Sequence, residues 1–370
     1  MKVLFTCGGT AGHINPAVAL ARMFQERNDG CRVLFVGAKG GMEERLVPKE
    51  GFPLETVTIS SFWRTLSPSG VRHNLKTLRN LSVSKKEAAQ ILDDFRPDLV
   101  VGTGGYASFP VVNAAAHRGI PTAVHESNAV PGLTTKRLSK VADRVMVGYE
   151  ESRAYYDHPE KVVVTGTPVR GAFFEKTREE ARLALGITDD RPLLLSYWGS
   201  LGAEVMNGYM TDFIRREVRD GAPFHHIHGA GRNFQSMTEA LGDTKLPGEI
   251  RLREYIYDMP TVMAAADLVL CRGGASTLSE LTAIGKPAVI VPSPNVTNNH
   301  QEKNANVLGS QGGAVVLLEP VCSGETLYQT ASDLLKDGAR RAAMSQTMTG
   351  LGIPEAAEKI YETLLALMKA

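Results

Sequence analysis

Lys2-Val3-Leu4-Phe5-Thr6-Cys7-Gly8-Gly9-Thr10-Ala11-Gly12-His13 is an apolar, strand-like run that breaks into a glycine turn and then into a helical pattern. Glycine lets the backbone take positive φ and lets a ligand approach the N–H groups closely. Where such a turn opens a helix, the unpaired N–H groups and the helix dipole make an anion site. The same grammar returns at Gly102-Thr103-Gly104-Gly105-Tyr106, at Trp198-Gly199-Ser200-Leu201-Gly202-Ala203 and at Cys271-Arg272-Gly273-Gly274-Ala275-Ser276. One such loop is what any parallel α/β protein needs at a strand-to-helix turn. Four, two in each half, predict a phosphate-bearing ligand held between two domains.

Around these loops, short β-branched runs alternate with helical patterns. The strand-like runs are 3–6, 32–37, 54–59, 98–102, 121–125, 144–147 and 162–165, then 192–197, 225–228, 250–253, 267–271, 288–292 and 314–318. Most are continuously apolar, as expected of parallel strands covered on both faces, and strands alternating with helices mean βαβ units. The fold class is therefore α/β, with parallel sheets in two domains. The boundary is expected at Thr165-Gly166-Thr167-Pro168-Val169-Arg170, giving domains 1–165 and 166–353. Pro354 opens a last helix, 354–370, which proteins of this shape often return to the first domain.

At 370 residues the chain is long for one core. Its 43% hydrophobic and 22% charged content is that of a globular protein, and a net charge of +1 gives no argument for nucleic acid. Cys7, Cys31, Cys271 and Cys322 are scattered without metal-ligand spacing, which points away from disulfides and zinc and toward a reducing cytoplasm. The first apolar run is too short for a signal peptide. No stretch reaches the roughly 20 apolar residues that span a bilayer.

Several side chains are candidates for chemistry. His13 follows the first loop, where the positive end of the next helix, with Pro16 suited to its first turn, favours a neutral imidazole that can act as a base. A purely structural histidine is the competing reading. Glu280 closes Thr277-Leu278-Ser279-Glu280, which reads as a capping box, with ribose recognition as the alternative. Arg170 would clamp a diphosphate with its planar fork or lie on the surface. Asn298, Asn299, His300, Gln301 and Asn304 would read sugar hydroxyls or form a solvated loop. No Asp-x-Asp pair follows an apolar strand, so no metal is implied. Between residues 62 and 86, Arg64, Arg72, Lys76, Arg79, Lys85 and Lys86 occur with no acid, among Phe62, Trp63, Leu66, Val71, Leu75, Leu78 and Leu81. Such a segment suits an anionic membrane surface, or a solvated helix.

Taken together, Gly8–His13 with Pro16, the 102–106 loop, His125-Glu126-Ser127-Asn128 with Pro131-Gly132-Leu133, Gly166–Arg170, Gly199–Ala203, Arg272–Glu280 and His300-Gln301 with Asn304-Ala305 resemble the MurG family of glycosyltransferases. Order and spacing hold over essentially the whole chain. The resemblance implies a GT-B fold, two Rossmann-like domains with a cleft between them. It implies an inverting, metal-independent N-acetylglucosaminyltransferase of peptidoglycan synthesis, without a cofactor. Its donor would be UDP-N-acetylglucosamine and its acceptor the undecaprenyl-linked muramyl-pentapeptide, lipid I, giving lipid II. Its place would be peripheral, on the cytoplasmic face of the anionic cell membrane, with no nucleic acid as partner.

Position by position, the resemblance places His13 in the reaction centre, where it is the candidate base. Thr10, Ala11, Gly12 and Asn128 would line the reaction centre beside the donor. Arg170, Ser200 and the turn of Ala275, Ser276, Thr277, Leu278 and Ser279 would meet nucleotide and diphosphate. Glu280 would take the ribose, Ile256 the uracil through its backbone, and Gln301 the sugar. Gly104, Gly105, Tyr106 and Glu126 would lie on the acceptor side. The sequence departs from the family pattern at Ala11, Phe109, Ser127, Thr167 and above all Trp198, which replaces a loop glycine. A positive φ at 198 would strain tryptophan by roughly 1–2 kcal/mol, and its indole would crowd the diphosphate. Two rivals follow: a related enzyme with a diacylglycerol acceptor, and a non-catalytic UDP-sugar-binding protein.

Overall fold

The computed structural model describes residues 1–60, 67–199 and 203–369. The chain divides into two compact units, one of Met1–Val169 with Ile353–Ala370, the other of Arg170–Gly352. Each is an all-parallel sheet.

The first unit has seven strands: β1 (Lys2–Thr6), β2 (Arg32–Ala38), β3 (Leu54–Val57), β4 (Leu99–Gly102), β5 (Thr122–Glu126), β6 (Arg144–Val147) and β7 (Val162–Val164), in the order β3-β2-β1-β4-β5-β6-β7. The second has six: β8 (Leu193–Tyr197), β9 (His225–Gly229), β10 (Ile250–Arg253), β11 (Leu268–Cys271), β12 (Ala288–Ile290) and β13 (Ala314–Val316), in the order β10-β9-β8-β11-β12-β13. In both sheets the order reverses beside the first strand, at β1/β4 and at β8/β11. Ligands of doubly wound sheets bind at the carboxyl ends of strands flanking such a switch point. All four glycine loops sit there, one after each of these four strands.

The strands are buried on both faces because their side chains alternate between two cores. Val3 and Phe5 of β1 join Phe24, Phe35 and Phe52 on one face, while Leu4 joins Val36, Val100, Val111 and Leu138 on the other. The stacked Phe5–Phe35 pair, with ring centroids 5.6 Å apart, anchors the first core. Each fully buried phenylalanine contributes about 1.5–3 kcal/mol. The C-terminal helix Ala356–Lys369 closes that core, with Tyr361 edge-on to Phe24 at 4.9 Å and Arg27 paired with Glu358 at 2.6 Å.

The second unit packs Trp198, Met206, Met210, Phe213 and Phe224 into one core. A buried polar chain crosses it. Glu217 meets His226 Nδ1 at 2.7 Å, Ser196 Oγ lies 2.7 Å from both His226 Nε2 and His228 Nδ1, and His228 Nε2 lies 3.1 Å from Asn207 Oδ1. Asn207 Nδ2 donates to the Ala230 carbonyl at 2.9 Å, which ties the Glu204–Arg219 helix to the turn after β9.

Candidate functional site

In the first unit the loops after β1 and β4 interlock. Gly105, at φ +81°, brings its Cα so close to Gly8 that an added Cβ would lie 2.1 Å from the Gly8 carbonyl oxygen. Gly104, at φ +107°, lies against the His13 ring, and a Cβ there would fall 3.0 Å from Nε2. Glycine is required at both positions by contact and by conformation. Tyr106 covers Gly9, and its phenol is pushed up by burial and by the nearby Glu43 carboxylate.

His13 lies in the first turn of the helix Ala11–Arg27, whose N-cap is Thr10. Its Nδ1 sits 2.7 Å from the Gly8 carbonyl, with Thr10 Oγ1 at 3.3 Å. A carbonyl only accepts, so Nδ1 carries the proton and Nε2 of the neutral ring is the acceptor. Thr103 Oγ1 donates to the His13 carbonyl at 2.7 Å, locking the helix start to the β4 loop. Thr10, Gly12, His13, Gly104, Gly105 and Tyr106 therefore converge, and Ala11 supplies the first helical residue. Pro16 is an interior residue of this helix, not one of its first turn.

The 125–132 loop follows β5, beside β4. His125 is buried and donates from Nε2 to the Gly166 carbonyl at 2.9 Å; burial lowers its pKa, opposed by that bond and by Glu126, and His13 adds a smaller push down. Glu126 is turned inward. Its carboxylate accepts from Asn128 N at 3.1 Å, Asn128 Nδ2 at 2.9 Å and Gly132 N at 3.0 Å, so it shapes the loop that presents Asn128.

In the second unit the helix Ala275–Ala283 begins after β11 with Gly274 at its N-cap. Thr277 and Glu280 are interior residues, and no side chain caps the helix. This overturns the capping-box reading, which placed the helix start at Thr277. At the same helix end Ser276 Oγ is buried without a hydrogen-bond partner among the described residues. The Glu280 carboxyl is pushed up to about 7 by burial, opposed by the Arg170 guanidinium. Arg170 is exposed, its guanidinium 5.3 Å from the Phe173 ring centroid, and has no ion-pair partner among the described residues. An unpartnered hydroxyl, a cation and a buried acid suit a diphosphate and a diol.

Ile256 is buried against Gly229, where a Cβ would approach its Cδ1 to 3.1 Å, and its backbone N–H and C=O take no hydrogen bond among the described residues. Gln301 packs on Gly273, leaving no room for a Cβ there, and its Oε1 accepts from Ser293 N at 2.9 Å. That leaves the amide Nε2 as its donor. Ser200 lies outside the described residues, as do Phe62, Trp63, Arg64 and Leu66 of the basic segment.

Trp198 does not stand in the way. Its indole lies in the hydrophobic core, with the Arg272 guanidinium 5.8 Å from the ring centroid. The positive φ of the turn belongs to Gly199, at +87°, and Trp198 is not among the left-handed residues. The expected strain and crowding are absent.

Sequence reading missed Glu43. It is fully buried beneath the first loop, and its Oε1 accepts from Gly9 N at 2.5 Å. Gly37 and Gly41 clear space for it. In sequence it is an ordinary acid in the first turn of the helix Glu43–Lys49, and only the folded chain brings it under the loop.

Two parallel, doubly wound units with glycine turns at both switch points are the GT-B architecture. The N-terminal domain of glycosyltransferase family 28 matches residues 3–147 and its C-terminal domain matches residues 197–360. The chain belongs to glycosyltransferase family 28, within the MurG group. A relative from Acetivibrio thermocellus named UDP-N-acetylglucosamine–N-acetylmuramyl-(pentapeptide) pyrophosphoryl-undecaprenol N-acetylglucosamine transferase is 43% identical over 370 residues, covering 100% of this chain and 99% of its own. A relative of the same name from Halalkalibacterium halodurans is 38% identical, covering 98% of each. The crystal structure of Acinetobacter baumannii MurG superposes with a TM-score of 0.77 at 26% identity, covering 99% of both chains. A UDP-GlcNAc 2-epimerase from Neisseria meningitidis, at 18% identity and a TM-score of 0.67, shares the fold.

Proposed function

We propose that this protein transfers N-acetylglucosamine from UDP-N-acetylglucosamine to undecaprenyl-diphospho-muramyl-pentapeptide, converting lipid I to lipid II in peptidoglycan synthesis. The observation that carries this reading is the 43% identity, end to end, with a transferase of that name. The donor belongs to the second unit: uracil on the Ile256 backbone, ribose on Glu280, diphosphate on the 275–279 turn, Ser200 and Arg170, and sugar on Gln301. The base and the acceptor side belong to the first unit, with Thr10, Ala11, Gly12 and Asn128 at the reaction centre and Gly104, Gly105, Tyr106 and Glu126 toward the acceptor.

The transfer inverts C1. His13 Nε2 takes the proton of the acceptor hydroxyl, whose oxygen forms the new bond to C1. The C1–O bond to the β-phosphate breaks, and UDP leaves with the electron pair. Positioned bases of this kind contribute about 10²–10⁴-fold. The Arg170 charge and the helix N–H groups stabilise the growing negative charge on the diphosphate without a divalent ion. Among the described residues no three His, Cys, Asp or Glu side chains gather as metal ligands.

The basic 62–86 segment docks the enzyme on an anionic membrane face. No helix among the described residues is long and apolar enough to cross a bilayer, and Arg72, Lys85 and Lys86 are exposed on the helix Pro68–Phe95. The test is turnover of UDP-N-acetylglucosamine with a short-chain lipid I analogue, with and without EDTA. Full activity in EDTA is the expected result; loss restored by magnesium or manganese overturns the metal-free step.

A further inference from the structure

We propose that Glu43 is a positioning residue for His13, acting through the Gly8–Gly9 peptide bond. This rests on the reading of His13 as the base. The two contacts that support it share one peptide plane. Glu43 Oε1 accepts from the Gly9 N–H at 2.5 Å, and the carbonyl of that same peptide, Gly8 C=O, accepts from His13 Nδ1–H at 2.7 Å. The carboxylate, the peptide and the imidazole thus form one donor–acceptor chain that ends at Nε2. Hydrogen bonds in series polarise one another, most strongly when one member is ionised and the surroundings are dry. The peptide here does what a directly bonded carboxylate does for a catalytic histidine: it fixes the tautomer and steadies the imidazolium as it forms.

The surroundings fit this role. Glu43 is fully buried, and among the described residues it has no ion pair and its Oε2 has no hydrogen-bond partner. An added Cβ at Gly41 would overlap Oε2, and one at Gly37 would lie 2.7 Å from the Glu43 Cβ, so two glycines give up their side chains to house it. The titratable groups facing it, Cys7 and Tyr106, are both held neutral by burial and, secondarily, by the Glu43 charge. Gly9 at φ +86° aims its N–H downward to the carboxylate while Gly8 C=O turns to the ring. No proton travels along the chain. Nδ1–H stays on His13, and Nε2 alone exchanges with the acceptor hydroxyl.

The test uses the full chain with ¹⁵N-labelled histidine and two variants. Glu43→Met fills the same volume without an acceptor; Glu43→Gln keeps an oxygen for the Gly9 N–H. In the wild type, His13 should show the Nδ1–H tautomer, and the Gly9 amide proton should be far downfield and slow to exchange. Glu43→Met should mix the His13 tautomers and lower kcat about 10-fold with donor KM within about threefold, the low end of the range for direct hydrogen-bond partners of metal-bound histidines because a peptide intervenes here. Glu43→Gln should restore tautomer and most of kcat. A folded Glu43→Met protein with the wild-type tautomer and kcat overturns the proposal. So does an ordinary, fast-exchanging Gly9 amide in the wild type, which decides the matter if Glu43→Met does not fold. If His13→Ala leaves kcat unchanged while the tautomer still depends on Glu43, it is the base assignment that fails and not the link.

Discussion

His13 and Glu280 are the side chains on which the mechanism turns. His13→Ala is expected to lower kcat by about 10²–10⁴-fold with UDP affinity nearly unchanged, because the lost interaction belongs to the transition state; steady-state kinetics beside UDP titration checks this. For Glu280 the sign is less intuitive. Its folded pKa of about 7 exceeds the ordinary 4.5, so between these values the folded state binds more protons than the unfolded one, and stability falls as pH rises through that window. Glu280→Gln should therefore raise stability at pH 8 by about 1–3 kcal/mol, seen as a higher Tm. The same change should weaken donor binding by about 1.5–3 kcal/mol, since charge-assisted bonds to the ribose are lost. A Tm that falls would show Glu280 to be a structural acid. At this scale the sequence was legible where a residue stands in a glycine loop and misleading where a local pattern competed with the fold. Thr277-x-x-Glu280 satisfies the capping-box spacing, yet the N-cap is Gly274, three residues before Thr277, and the helix begins at Ala275. Glu43 left no trace at all, since its partner Gly9 is 34 residues away.

Among elements, most of the strands in the described residues were readable because parallel strands covered on both faces are largely apolar runs, although β3, β9 and β10 carry polar residues. What sequence could not show is the polar chain inside β8 and β9. Ser196, His226 and His228 interrupt apolar strands, and only their mutual bonds explain their burial. Asn207 Oδ1 accepts from His228 Nε2–H, so neutral His228 must accept at Nδ1 from the Ser196 hydroxyl. Burial, with a smaller push from His226, holds the His228 pKa down to about 3. Below the ordinary histidine pKa of about 6.5 the unfolded state binds the extra proton, so this stability is lost as pH falls from about 6.5 toward 3. Acid titration of Tm should show a decline in that window that is shallower in His228→Gln. An unchanged slope would mean that His228 charges without opening the strand. Because Asn207 also holds the Ala230 turn, donor KM is expected to rise in the same variant.

For the whole molecule, the doubled α/β pattern and the four loops were enough to place two units of one architecture in the chain. They could not tell Trp198 from an obstacle. Its φ and its burial in the second core are properties of packing, and they remove the ground for a non-catalytic binder. The membrane role is likewise a property of the whole surface. Vesicles with anionic lipid should retain the protein at low salt and release it as salt rises, each basic side chain near the surface contributing about 1 kcal/mol. Charge reversal at Arg72, Lys85 and Lys86 should reduce sedimentation with vesicles while turnover of a soluble acceptor analogue continues. Unchanged sedimentation would leave the 62–86 segment a solvated helix. The central claim, transfer of N-acetylglucosamine between these two substrates, is tested most directly by mass analysis of the products from UDP-N-acetylglucosamine and a short-chain lipid I analogue. The expected result is UDP and a β-linked disaccharide on the lipid diphosphate in equal amounts, both reduced in His13→Ala; binding of the donor with neither product formed would contradict it.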